Sequence, residues 1–85
     1  MKVQELEDKV WTQDGIRIVV RAASTEEVGQ YAHKYAAISN WSVTEFLAKR
    51  INPLLGGKEV VVLEGNGEQP HGRSLLSSIR QSYRR

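Results

Sequence analysis

The chain contains no cysteine, and this absence excludes several classes of protein at once. Disulfide frameworks and thiolate metal sites are ruled out, and two histidines are too few for a histidine-rich metal centre. No apolar run approaches the roughly 18 residues that a membrane-spanning helix needs. The acidic segment 1–8 also lacks the apolar region of a secretory signal. We therefore expect a cytoplasmic protein with no membrane, no metal and no other cofactor.

The rest of the composition is that of an ordinary globular domain. The chain has 85 residues, of which 40% are apolar and 26% are charged. It shows no internal repeat, low-complexity tract or linker. Residues 1–85 are therefore predicted to form one small α+β domain.

The first predicted element is an N-terminal β-hairpin. The pair Asp14-Gly15 separates Val10–Thr12 from Ile16–Val20, a pattern typical of a two-residue hairpin turn. This register places Trp11 opposite Ile18 on the core face of the hairpin. Whether residues 1–8 are strand, helix or disordered is left open, because three apolar residues also recur at helical spacing: Val3, Leu6 and Val10.

Two capping boxes predict two helices in the middle of the chain. In both Ser24–Glu27 and Ser42–Glu45, a serine precedes a glutamate by three residues, so that each side chain can bind the other residue's amide. The first helix is predicted to extend to Ile38. The second is predicted to end near Asn52, because Pro53 follows. Its predicted apolar face consists of Val43, Phe46, Leu47, Ile51 and Leu54.

The run Val60–Leu63 lacks polar alternation and is predicted to be a central strand covered on both faces. A glycine-rich loop follows, and then a predicted helix from Arg73 to Arg85 that contains no acid. The predicted order is ββααβα, with an N-terminal hairpin and a central third strand packed against helices.

Charge is distributed unevenly between the two parts of the chain. Residues 1–69 carry a net charge of −2, whereas residues 70–85 carry +4. This asymmetry favours a non-enzymatic adaptor that docks to an acidic partner, either a protein surface, which we favour, or nucleic acid bound without sequence specificity. A homodimer completed by the last helix is a further possibility. The predicted partner-binding residues are Arg73, Arg80, Arg84, Arg85, Tyr83, Trp41, Arg17 and Arg21.

The glycine-rich loop supports a second hypothesis, a phosphate- or nucleotide-binding protein. Gly67, Gly72, Arg73 and Ser74 follow a strand at nearly the spacing of a phosphate-binding loop, and a helix N-terminus would add its positive dipole end. Arginine replaces the lysine of that loop, and no later strand could bring an aspartate for magnesium. We therefore predict no catalytic residues.

One segment shows a local resemblance to a known family. Residues Arg50–Lys58, followed by Val60–Val62, resemble the end of the CpcD-like domain of phycobilisome linker polypeptides. In that family a helix ends in a similar stretch and turns into a strand. Its members are small basic proteins that join acidic antenna proteins, so the resemblance implies an adaptor role.

Overall fold

The computed structural model describes residues 1–84 and shows a mixed α+β domain that begins with a helix. The predicted order ββααβα is therefore wrong. The elements in chain order are α1 (Val3–Asp14), β1 (Arg17–Val20), α2 (Val43–Phe46), a π-helical turn (Leu47–Ile51), α3 (Asn52–Leu55), β2 (Val60–Leu63) and α4 (Leu76–Ser82).

The predicted N-terminal hairpin is replaced by helix α1, which ends where the hairpin turn was expected. Gly15 caps the helix in the left-handed region, with φ 67° and ψ 28°, and its N–H donates to the Trp11 carbonyl. Glycine at positive φ serves a helix C-terminus as readily as a hairpin turn. Residues 3–14 form a helix instead of a strand because helical spacing places Val3, Leu6 and Val10 on one face, which is buried. Trp11, predicted to be a core residue, is 44% exposed.

The sheet contains two antiparallel strands, with Arg17 paired to Leu63 and Val20 paired to Val60. Strand β1 alternates as predicted, because Ile18 and Val20 are buried while Arg17 is exposed. Strand β2, by contrast, is not a central strand. It pairs only with β1 within residues 1–84, and of its four residues only Val62 is fully buried.

The segment 22–41 has no regular helix, so the first predicted helix is wrong. Its carbonyl groups bind the start of α1 instead: Val3 N–H donates to Glu26 O at 2.9 Å, and Gln4 N–H donates to Ser24 O at 3.1 Å. The first amides of any helix lack partners within the helix. Here α1 recruits carbonyl groups that the predicted helix would have used for its own bonds.

The second capping box is confirmed at the start of α2. Ser42 Oγ accepts from the Glu45 amide at 3.1 Å, and the Glu45 carboxylate accepts from the Ser42 amide. Pro53 does not stop the helix near Asn52 as predicted. The helix widens instead into the π-turn, in which Asn52 N–H donates to Leu47 O, and it continues to Leu55.

The π-turn changes which residues of this helix face the core. A proline cannot donate a backbone hydrogen bond, and its ring clashes with the carbonyl group four residues earlier, so the preceding turn must open. Ile51 then follows Phe46 by five positions and both are buried, as is Leu55. Leu47 and Leu54, which were predicted to be core residues, are only half-buried.

The core lies between α1, the sheet, the helix 43–55 and α4. Its largest fully buried side chains include Phe46 from α2 and Leu76 and Ile79 from α4. Among residues 1–84, no helix combines the length and apolar character that crossing a bilayer requires.

Candidate partner-binding surface

Three residues from three elements meet on the surface near the end of α1. The Arg17 guanidinium lies over the Trp11 ring, 5.5 Å from its centroid, and the Tyr83 ring packs edge-on against Trp11 at 5.1 Å. We call Trp11, Arg17 and Tyr83 the aromatic–arginine cluster. The Gly15 cap places Trp11 beside the first residue of β1, and the end of α4 brings Tyr83 to both.

The Tyr83 hydroxyl joins the two strands at the end of their ladder. It accepts from the Arg17 amide at 3.0 Å and donates to the Leu63 carbonyl. Arg17 and Leu63 are paired residues, so the hydroxyl bridges the two groups that face each other across the ladder. Burial raises the pKa of Tyr83 above its usual value, which favours the protonated form that can donate.

The cluster borders the face of the sheet that points away from the core. We call this the open sheet face, and its centre is formed by Val19, which is 38% exposed, and its partner Val61. A cleft of about 380 Å³ runs between this face and α1. The cleft is lined by Glu7, Asp8, Trp11, Arg17, Ile18, Val19 and Leu63.

The predicted partner-binding residues fall into separate places. Arg17 and Tyr83 belong to the cluster, and Arg84, which follows Tyr83, is exposed. Arg21, just after β1, is exposed, and its Nε atom lies 3.8 Å from Glu59 Oε2. Arg85 lies outside the described residues.

Arg80 differs from the other predicted residues because three of its guanidinium N–H groups donate to acceptors within the molecule. It donates to Asp14 O at 2.7 Å, to Ser39 Oγ at 2.8 Å and to Ala37 O at 2.8 Å. All three acceptors lie outside α4. The side chain therefore ties the last helix to the end of α1 and to the irregular segment.

Trp41 and Arg73 lie near the other end of α4. The Trp41 carbonyl accepts from the Leu76 amide at 2.9 Å, and its ring is half-buried. Lys49 Nζ lies 4.7 Å and the Arg50 guanidinium 5.4 Å from the centroid of that ring. The structure therefore does not bring Trp41 and Arg73 together with the aromatic–arginine cluster.

Three of the four predicted anion-binding residues, Gly67, Arg73 and Ser74, donate their backbone amides to partners within the protein. Arg73 N–H donates to His71 Nδ1 at 3.1 Å, and Ser74 N–H donates to His71 O at 2.9 Å. Gly67 N–H donates to the Glu64 carbonyl, also at 2.9 Å. The helix that follows has only seven residues. This loop therefore presents no cradle of free amides at Gly67, Arg73 and Ser74 for a phosphate group.

A buried polar network, which the sequence reasoning missed, lies behind the surface. The Asp14 carboxylate accepts from the Ala37 amide at 2.8 Å, from Arg50 Nη1 at 3.1 Å and from the Tyr31 hydroxyl. Burial, helped by the hydrogen bond to Asp14, raises the pKa of Tyr31 above its usual value. A signal was present, because Asp14 continues the buried spacing of Leu6 and Val10 by four positions.

Comparison with known proteins gives no relative for this chain. No protein-family model matches it, no curated protein matches it, and no solved structure matches it. The local resemblance of Arg50–Val62 to phycobilisome linker polypeptides thus gains no support.

Proposed function

We propose that this protein is a non-enzymatic binding module that docks an acidic protein surface on its open sheet face. The observation that carries the proposal is the aromatic–arginine cluster, in which an exposed arginine is held over an exposed tryptophan. Tryptophan, tyrosine and arginine are the residue types that contribute most often to binding energy at protein interfaces.

The cluster is ordered before any partner arrives. The Trp11 ring contacts both Arg17 and Tyr83, and the Tyr83 hydroxyl is itself fixed by two backbone groups. Binding loses less conformational entropy when the contacting side chains already hold their positions. Held in place, they form a preorganised anchor.

The charge of Arg17 is available to an outside carboxylate. Within residues 1–84, Arg17 forms no ion pair, whereas Arg21 and Arg50 each have a carboxylate within 4.0 Å. Arg84 adds an exposed positive charge next to Tyr83. An acidic side chain of a partner would pair with Arg17 while an apolar neighbour covers Trp11 and Val19.

The surroundings of the cluster favour a protein partner over nucleic acid. Trp11 and Tyr83 meet at 80°, edge to face, rather than presenting two parallel faces on which bases could stack. The cleft beside them carries Glu7 and Asp8, which would repel a phosphate backbone. A protein surface can place a single carboxylate on Arg17 and avoid these two acids.

Selection of displayed random peptides against the immobilised protein tests the proposal. We expect the selected peptides to combine Asp or Glu with an aromatic or aliphatic residue, and to bind in a salt-dependent manner. Arg17→Glu and Trp11→Ala should each weaken the binding of these peptides by at least about ten-fold, a typical loss for a central interface residue. Lys34→Glu makes the same charge change at an exposed residue outside the cluster and should leave binding unchanged.

Two outcomes would overturn the proposal. One is a set of peptides without acidic residues. The other is acidic peptides that bind Arg17→Glu as tightly as the parent protein. Fluorescence anisotropy with labelled DNA and RNA at about 50 to 300 mM salt provides the comparison. Nucleic-acid binding that depends on Arg17, without peptide binding, would move the partner class from protein to nucleic acid.

A further inference from the structure

The cleft beside the aromatic–arginine cluster carries opposite charges at its two ends. The Arg17 guanidinium lies over Trp11 near the end of α1. Farther along β1, the Val20 amide donates to the Glu7 carboxylate at 3.0 Å, about one helical turn before Trp11. Strand and helix therefore run in opposite directions along the cleft. Its cation lies at one end, and the two acids that line it, Glu7 and Asp8, lie at the other.

None of these three charges has an oppositely charged partner in the described chain. Arg17, Glu7 and Asp8 form no ion pair within residues 1–84. Arg17 and Asp8 are exposed, and Glu7 is half-buried. The hydrogen bond from the Val20 amide uses only part of the acceptor capacity of Glu7, because a carboxylate has about four lone-pair sites. The acidic end of the cleft can therefore still bind a cation from outside.

The spacing of the charges suits an extended peptide segment. The two ends of the cleft are separated by about one helical turn, roughly 5.4 Å. An extended chain rises roughly 3.3 Å per residue, and side chains two positions apart point to the same side. An acidic and a basic residue two positions apart can therefore reach both ends together. The cleft volume, about 380 Å³, is that of a small ligand site and accommodates a few side chains of a partner.

We propose that the partner segment bound in this cleft carries a basic residue as well as an acidic one. The acidic residue pairs with Arg17, and the basic residue, two positions away, pairs with Glu7 and Asp8. An aromatic or aliphatic neighbour covers Trp11 and Val19. This inference rests on the proposed function and deepens it, because Glu7 and Asp8 become the residues that determine which acidic segments bind.

A segment that carries only acidic residues fits this cleft less well. Its first carboxylate would pair with Arg17, but a second would lie beside Glu7 and Asp8 and be repelled by them. Like charges that face each other across an interface exclude wrong partners. A basic residue at the second position replaces this repulsion by attraction. The two acids therefore disfavour polyacidic segments and favour segments of mixed charge.

Sequencing of the displayed peptides selected against the parent protein and against a neutralised variant tests this inference. With the parent protein, we expect Lys or Arg to be enriched two positions from Asp or Glu. With the double variant Glu7→Gln and Asp8→Asn, this enrichment should disappear while the acidic residues remain. Glu7→Gln keeps an acceptor for the Val20 amide, so the fold should be retained, as circular dichroism will show. Glu68→Gln is the matched control at an exposed acid outside the cleft and should leave the enrichment unchanged.

A charge-swap cycle measures the contact directly. The probe is a fluorescein-labelled selected peptide that contains the basic residue, and its Kd is measured by fluorescence anisotropy. Replacing the basic residue of the peptide by Glu should weaken binding to the parent protein by about three-fold or more, as expected for a partly exposed ion pair. Asp8→Lys should weaken binding of the original peptide by a similar factor. The same variant should recover at least part of the binding of the Glu-containing peptide.

The outcomes distinguish this inference from the function on which it rests. Acidic, apolar peptides that bind through Arg17 without an enriched basic residue would overturn the inference and leave the proposed function standing. The same conclusion would follow if the basic residue contributed equally to binding of the parent protein, of Asp8→Lys and of the neutralised variant. A selection that gives no acidic peptides would overturn both.

Discussion

Replacing Asp14 by alanine should remove a large part of the stability of the fold. The carboxylate has no exposed surface and accepts three hydrogen bonds, one of them from Arg50, whose side chain is 11% exposed. Alanine would leave the Arg50 guanidinium nearly buried without its counter-charge. It would also leave the Ala37 amide and the Tyr31 hydroxyl without their acceptor.

The size of the effect follows from this burial. Removing one member of a buried ion pair typically costs about 3–5 kcal/mol, because the remaining charge stays desolvated. An 85-residue domain is stable by about 4–13 kcal/mol in total. Asp14→Ala should therefore lose a large part of this stability. Asp14→Asn keeps the shape and an acceptor oxygen and should cost less, about 1–3 kcal/mol.

Urea denaturation followed by far-ultraviolet circular dichroism measures these free energies of unfolding. The double variant Asp14→Ala with Arg50→Ala should be more stable than the sum of the two single losses predicts, by about 1 kcal/mol or more, because no unpaired charge remains. Glu68→Ala, at an exposed position, is the control and should change little. A loss below about 1 kcal/mol for Asp14→Ala would refute the view that this network holds the fold together.

Three other perturbations have clear expected results. Arg80→Ala should lower the free energy of unfolding by about 2–3 kcal/mol because three internal hydrogen bonds are lost, whereas Arg84→Ala should have almost no effect. Gly65→Ala should cost at least about 2 kcal/mol by urea denaturation, because the added Cβ would lie 1.7 Å from the Ser82 carbonyl oxygen. Stability should fall as the pH rises above about 10, by up to about 1.4 kcal/mol per pH unit for Tyr31, because the unfolded state releases a proton that the folded state retains.

Each of these results has a control that distinguishes the specific effect from a nonspecific loss of folding stability. Arg80→Lys should restore only part of the stability, because an ammonium cannot reproduce the planar fork of a guanidinium. Gly57→Ala meets no atom within 4 Å, so its cost should be only that of a positive φ. Tyr31→Phe should flatten the stability profile above pH 10. An unchanged profile in that variant would assign the pH dependence to other groups.

Local sequence patterns predicted the structure correctly where a residue's hydrogen-bond or packing partners lie close to it in the sequence. The Ser42–Glu45 capping box and the buried alternation of Ile18 and Val20 were both predicted correctly. Asp14-Gly15 was misinterpreted because a left-handed glycine ends helices and turns hairpins alike. The helix predicted from the Ser24–Glu27 capping box does not form, because carbonyl groups of this segment accept hydrogen bonds from the first amides of α1. No local sequence pattern predicts that contact.

The candidate surface could be predicted only in part for the same reason. Arg17 and Tyr83 were named as binding residues from charge and composition, but they are 66 positions apart and only the fold shows that they touch. Arg80 has the sequence environment of a free surface arginine, yet three of its N–H groups donate to acceptors in two distant segments. The acceptors of a long polar side chain cannot be inferred from the spacing of its neighbours along a helix.

The π-turn at Leu47–Ile51 also bears on how many residues the helix 43–55 would contain in a related protein. The turn holds one residue more than an α-helical turn, and the extra residue keeps Phe46 and Ile51 on the same side of the helix despite Pro53. Its geometry is equivalent to one extra residue placed within an α-helix. A relative that lacks the proline should be one residue shorter here, and an alignment that ignores this gap would mismatch every buried position up to Leu55.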